Sequence, residues 1–251
     1  MRSMDIRNHS CVKEEELMEV KNERIDLTKL VGVFNPASIR DPIHIIGCGS
    51  VGSCVAELLA RQGLTNFVLY DFDVVEAKNI SNQMFFNSQI GKMKVDAVKE
   101  ILIAVNPEIE ATIRTVPDGY NGQRLNGYVF LCVDSIELRR KIAQENKMNT
   151  NIKAMFDGRT RLYDWQHYAA DWTDPKMVRD FIKTMQFTDE EARAETPVSA
   201  CGTTLSVATT VRMLAAIMVE NFTNFVRVHA INKMVRQDSP ETHFEFEFEA
   251  F

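Results

Sequence analysis

Three glycines, two carboxylates and a pair of lysines carry the clearest chemical signal in this chain. Gly47-Cys48-Gly49-Ser50-Val51-Gly52 is a GxGxxG string. It lies between the apolar run Ile43-His44-Ile45-Ile46 and a helical pattern in which Val51, Val55, Leu58 and Leu59 share a face. Glycines at such a turn let the backbone bend tightly and approach a phosphate, which then rests on the free N–H groups of the helix start. Asp71 closes the next apolar run, Phe67-Val68-Leu69-Tyr70, nineteen residues beyond Gly52. That is where a carboxylate accepts hydrogen bonds from ribose hydroxyls. Taken alone, this set fits NAD as well as ATP. Four further features favour ATP: Asp73 beside Asp71; Asn79 and Gln83; Lys92 and Lys94 in Gly91-Lys92-Met93-Lys94; and Asp134, which ends the apolar run Tyr128–Val133 ahead of Arg139 and Arg140. Hydride transfer has no use for a lysine near the phosphates. ATP chemistry needs one, together with a carboxylate for Mg2+.

These residues need a scaffold that brings the ends of several strands together. Strand-like runs at 43–46, 67–70, 109–116, 128–133 and 153–156 are separated by helical periods at 51–63, 92–105 and 136–147. The alternation predicts α/β architecture: a Rossmann-like, doubly wound, mostly parallel sheet. Arg161–Trp172 reads as an antiparallel extension in the C-terminal half. Helices are expected at 176–185 and, as one long apolar helix, at 198–221. The organisation expected is an N-terminal extension (1–40, with a short acidic helix at Val12–Val20), a nucleotide-binding domain (41–230), and a C-terminal tail (231–251). In that tail Thr242–Glu249 alternates Phe with Glu, as an edge strand would.

Composition narrows the function classes. Among 251 residues, 29 Lys+Arg face 35 Asp+Glu, a net charge of −6, which argues against nucleic acid as a partner. The charged N-terminus lacks the apolar core of a signal peptide, and Arg212 interrupts the longest apolar stretch, so no membrane association is expected and the cytoplasm is the expected location. Five cysteines, at 11, 48, 54, 132 and 201, form no CxxC pair, which excludes a zinc ribbon and a disulfide framework.

The glycine string, Asp71-Phe72-Asp73-Val74-Val75-Glu76, Asn79, Gln83, Gly91-Lys92-Met93-Lys94 and Cys132-Val133-Asp134 together resemble the E1-like superfamily, over about Ile43 to Phe225. That group contains the ThiF/MoeB adenylyltransferases and the adenylation domains of ubiquitin-activating enzymes. The resemblance implies Mg-ATP-dependent adenylation of the C-terminal carboxylate of a ubiquitin-like or sulfur-carrier protein or peptide, usually by a homodimer. It also implies roles. Gly47, Gly49, Ser50 and Gly52 would line the nucleotide, with Asp71 at the ribose, Asp73, Lys92 and Arg139 nearby, and Asn79 and Gln83 near the phosphates. Lys94 would bind phosphate and Asp134 would hold Mg2+. Three departures from the family pattern stand out. Asn82 occupies a common arginine position, for which Arg139, Arg140 or Arg24 of a second subunit are candidate replacements. The zinc-binding CxxC pairs are missing, so no zinc is expected. The segment 174–198, where thioester-forming members carry a cysteine, has none, and the nearby Cys201 reads as structural. Asn82 also leaves room for a nucleotide-binding scaffold or sensor with little catalysis, and the glycine loop with Asp71 alone would permit an NAD-dependent oxidoreductase.

Overall fold

The computed structural model describes residues 25–30, 32–195, 198–199 and 205–228, and the backbone of 234–237 and 247–249. The expected helix at Val12–Val20, Cys11, Arg24, Cys201 and the alternation over 242–246 lie outside these residues.

Five strands form the parallel part of the sheet: β1 (Ile43–Ile46), β2 (Phe67–Tyr70), β3 (Arg114–Val116), β4 (Gly127–Leu131) and β5 (Ile152–Arg161). Their order is β3-β2-β1-β4-β5, after which β6 (Asp164–Asp171), β7 (Met234–Gln237) and β8 (Glu247–Glu249) continue the sheet antiparallel, with β8 at its edge. The segment read as a tail therefore adds two strands to the same sheet. Strands β1, β2 and β4 are buried on both faces, and so they read as unbroken apolar runs.

Helices α1 (Ser50–Arg61), α2 (Lys94–Val105) and α6 (Ala208–Val228) pack one face through Val55, Leu59, Val98, Leu102, Leu214, Met218 and Phe222. Helices α3 (Ile136–Glu145) and α4 (Pro175–Lys183) cover part of the other through Ile136, Ile142, Met177 and Phe181. The doubly wound architecture expected from the sequence is the one observed. No helix among the described residues is long and apolar enough to cross a membrane.

Several elements differ from their expected extents. The run 109–116 splits into a 3-10 turn, Pro107–Ala111, and the three-residue β3. Asn106 accepts from the Glu108 N–H and Pro107 presets the next φ, so the chain turns before it can extend. The long helix begins at Ala208, ten residues later than expected, and runs on to Val228. Its apolar period is carried by Val211, Leu214, Ala215, Met218, Val219, Phe222 and Phe225, all buried. A further short helix, α5 (Asp189–Ala194), is capped by Thr188, whose hydroxyl accepts from the Glu191 N–H at 3.1 Å. Within the segment read as an extension, Phe34 is 3% exposed in the main core.

Candidate functional site

The strand order reverses direction between β1 and β4, and it is at such a switch point, beyond the carboxyl ends of the strands, that open α/β sheets bind ligands. The glycine loop lies at this point. Gly47 N–H donates to Tyr70 O at 2.8 Å and Cys132 N–H to Ile46 O at 2.8 Å, which locks the loop to β2 and to the residues that lead to Asp134.

The three glycines have different reasons for being glycine. Gly47 has φ of +93°, and a Cβ there would lie 2.7 Å from the Cys132 backbone. A Cβ on Gly52 would lie 1.8 Å from Gly47 O, so the first turn of α1 and the loop can pack only without it. At Gly49 a Cβ would meet nothing within 4 Å. Gly47, Cys48, Val51 and Gly52 are buried, whereas Gly49 and Ser50 are half-exposed. The loop thus offers its open side at Gly49 and Ser50. The first helical hydrogen bond is Ser53 N–H to Gly49 O, so the N–H groups of Ser50, Val51 and Gly52 have no intrahelical partner. With no acidic residue in its first turn, this helix end is a ready anion site.

Charged groups converge on the same place. Asp71 accepts from Cys48 N–H at 2.7 Å and from Asp73 N–H at 2.9 Å, so the loop and the β2 end share one carboxylate. Burial pushes its carboxyl up, against those two donors and the charge of Lys94. Lys94, the first residue of α2, is 8% exposed, and its Nζ meets Asp73 Oδ2 at 2.7 Å. Its own N–H donates to Asp73 O at 2.9 Å. Asp73 therefore aims the lysine. Asp134 follows β4 and is exposed, and its carboxylate has no ion pair or hydrogen bond among the described residues. Asn79 is buried, and its Oδ1 accepts from Glu76 N–H at 2.8 Å. Gln83 places a buried Oε1 that has no partner among the described residues.

Three of the expected cations are engaged elsewhere in the structure. Arg139 is buried and its guanidinium is committed internally: it pairs with Asp157, which is fully buried, and donates to the carbonyls of Leu131, Val133 and Gly158. It is a brace for the strand ends and cannot reach out to a nucleotide without leaving them. Lys92 pairs with Glu100 on the exposed side of α2. Arg140, too, is turned to Met185 O and Phe187 O.

Other residues of the site were not singled out by the sequence. Asp157 joins Arg139 to Arg159, whose guanidinium lies 4.4 Å from the Tyr168 ring centroid. Burial would push the Asp157 carboxyl up, and the two arginines hold it below the ordinary range. Asp189, from α5, accepts from Ser135 Oγ at 2.7 Å and from Ile136 N–H at 2.6 Å, capping α3 right after Asp134. Thr188-x-x-Glu191 was a legible capping-box signal for α5, but nothing local pointed α5 at α3. Arg212 of α6 extends Nη1 to Met84 Sδ at 3.0 Å, and the Met84 N–H in turn donates to Ser53 Oγ of α1 at 3.3 Å. An exposed guanidinium thus stands beside the 79–84 segment, where Asn82 has no charge. Its signal was the arginine that breaks an otherwise apolar helix. Cys48, Cys54 and Cys132 are buried thiols. Burial pushes Cys48 well up, Cys54 to about 11 and Cys132 to about 12, so they pack as neutral side chains.

Residues 39–249 match the ThiF family. The chain belongs to the ThiF family. Among curated relatives it is similar to ubiquitin-like modifier-activating enzyme 5 of Caenorhabditis briggsae (34% identical over 120 residues, 41% of this chain and 28% of the relative). The Dictyostelium discoideum enzyme of that name is 31% identical over 156 residues, 52% of this chain and 41% of the relative. The matches thus span well under half the length of these relatives. Among solved structures, E. coli MccB with ATP aligns at TM-score 0.62 and 16% identity, over 84% of this chain and 64% of that one. PaaA aligns at TM-score 0.61 and 17% identity, also over 84% and 64%. At these identities the ThiF-family sheet is what is shared.

Proposed function

We propose that this ThiF-family chain is an E1-like adenylyltransferase that uses Mg-ATP to activate the C-terminal carboxylate of a ubiquitin-like or sulfur-carrier protein or a peptide. The observation that carries the reading is the open side of the glycine loop at Gly49 and Ser50, at a helix N-terminus, with the charge of the buried Lys94 close enough to act on Cys48 and Asp71 of the same loop and strand end. The relatives' name, and MccB structures with ATP and with MccA, support the kind of nucleotide and acceptor.

The residues fit the group they would hold. Gly49, Ser50 and the N–H groups of α1 would cradle phosphate, and Asp71 would accept from the ribose. The described residues place no three His, Cys, Asp or Glu side chains together as a metal cage, and a Mg2+ ion needs only one or two carboxylates beside the phosphates of its nucleotide. Asp134 is the carboxylate suited to it. Bound Mg-ATP supplies the electrophilic phosphorus and the pyrophosphate leaving group. The chain's own work is positioning and electrostatic. Lys94, held by Asp73, offsets negative charge on the phosphates, and Arg212 does so from the α6 side in place of Asn82. A carboxylate nucleophile is ionised at neutral pH, so no side-chain base is required. The working form is a homodimer in the cytoplasm.

ATP–pyrophosphate exchange with candidate carriers tests this. Lys94→Ala and Asp134→Ala should each lower exchange at least 100-fold, about 2.7 kcal/mol of transition-state stabilisation. Arg212→Ala should lower it roughly tenfold, about 1.4 kcal/mol. Exchange that survives both Lys94→Ala and Asp134→Ala would remove the assignment, and light scattering of the purified chain checks the dimer.

A further inference from the structure

The chain crosses from β3 to β4 without a helix. The other parallel connections each carry one: α1 between β1 and β2, α2 between β2 and β3, α3 between β4 and β5. Residues 117–126 make this crossing as a linker, and the linker, not a helix, covers the face of β1, β2 and β3 that turns away from α1. In register, His44 pairs with Val68, Val68 with Arg114, and Tyr70 with Val116, so these side chains share that face.

A cavity of about 420 Å³ remains there, large enough for a small molecule. Arg114 and Arg124 stand on its exposed side, His44, Tyr70 and Asn126 within it, and Val68 and Val116 give it an apolar wall. Its lining holds two guanidinium charges and no carboxylate. Among the described residues neither arginine has an ion-pair partner, whereas Arg61, Arg139, Arg159 and Arg161 each have one. The polar groups inside are already ordered. His44 is 2% exposed, with Nδ1 2.9 Å from Tyr70 Oη and Nε2 3.3 Å from Asn126 Oδ1. His44, the Tyr70 hydroxyl and Asn126, whose backbone N–H also points at Nε2 at 3.5 Å, are thus hydrogen-bonded to one another, and Arg114 and Arg124 are the charged donors of the lining. What the cavity offers a guest is therefore donors and positive charge beside an apolar wall.

We infer that this cavity is a second ligand site, separate from the glycine loop, that binds a small molecule through an oxyanion held by Arg114 and Arg124. The planar guanidinium forks match the paired oxygens of phosphate or carboxylate, and both chemistries remain within the claim. The site does not depend on the adenylation reading.

Calorimetric titration of the full chain with inorganic phosphate and, separately, with succinate tests it, each with and without saturating ATP. At least one anion should bind with millimolar or tighter affinity, unchanged by ATP and unchanged in Lys94→Ala. Phosphate alone binding assigns a phosphorylated ligand; succinate alone assigns a carboxylate. The doubly substituted Arg114→Gln/Arg124→Gln should weaken binding at least tenfold, and Arg114→Lys/Arg124→Lys, which keeps the charge and loses the fork, should fall between. Both arginines are exposed, so these variants keep the fold, and circular dichroism checks it. The inference is overturned if neither anion binds, if ATP or Lys94→Ala abolishes the binding, or if the double glutamine variant binds as well as the parent.

Discussion

His167 carries a proton on one ring nitrogen by necessity. Its Nδ1 lies 3.0 Å from Asp157 O, an acceptor only, and its Nε2 lies 2.9 Å from Asn221 Nδ2, so the neutral Nδ1–H tautomer satisfies both. Burial lowers its pKa to about 4, and burial first, with the Arg114 charge against it, lowers His44 to about 4 as well. An unfolded histidine takes up its proton near 6.5, so between that pH and 4 the unfolded chain binds more protons and stability falls as pH falls. Each histidine contributes up to about 3 kcal/mol to this loss. Urea midpoints measured from pH 7 to pH 4 should drop across that window, and His167→Gln, which keeps a donor and an acceptor, should flatten the drop. A profile equally steep in the variant would mean that carboxylates dominate. Asp157 and Asp189, both held below the ordinary range, lose their contribution only at lower pH.

Elements meet at two junctions that can be broken separately. At the first, α1 rests on the glycine loop through Gly52 and Gly47. Gly52→Ala must push the helix off the loop and should cost several kcal/mol, as overpacking at a rigid backbone contact does. Gly49→Ala meets nothing, so it should leave the melting temperature near that of the parent while weakening ATP at least tenfold. Equal effects of the two substitutions on folding would contradict the division of roles. At the second junction, Asp157 on β5 binds Arg139 of α3, and Asp157→Asn leaves a buried arginine short of its counter-charge, which should cost roughly 3–5 kcal/mol in chemical denaturation. The first junction was legible in the sequence because its strand, turn and helix are contiguous. The second was not: Arg139 and Asp157 stand eighteen residues apart, with only the β4–β5 pairing to join them, so Arg139 read as a free cation. Likewise Ile109, Ala111 and Ile113 alternate like a strand, yet the Asn106-Pro107 start overrides that period with a turn.

For the molecule as a whole, the topology does most to define the site. Glycine loop, Asp71, Lys94 and Asp134 come from four segments, and only the β2-β1-β4 order gathers their ends. A nucleotide bound there ties those ends together, so it should stabilise the whole fold: about 2.7 kcal/mol at a hundredfold excess over its Kd, a shift of several degrees for a chain of this size. Mg-ATP should raise the melting temperature and NAD should not; the reverse outcome would overturn ATP as the nucleotide of this site. The uneven glycines also leave a trace in descent. Positions 47 and 52 are constrained by the backbone contacts of the fold itself. If a nucleotide uses the open side of position 49, that position is constrained by the ligand instead. In a lineage that abandons its nucleotide, residue 49 is the first of the three free to drift, and a side chain there would date the loss.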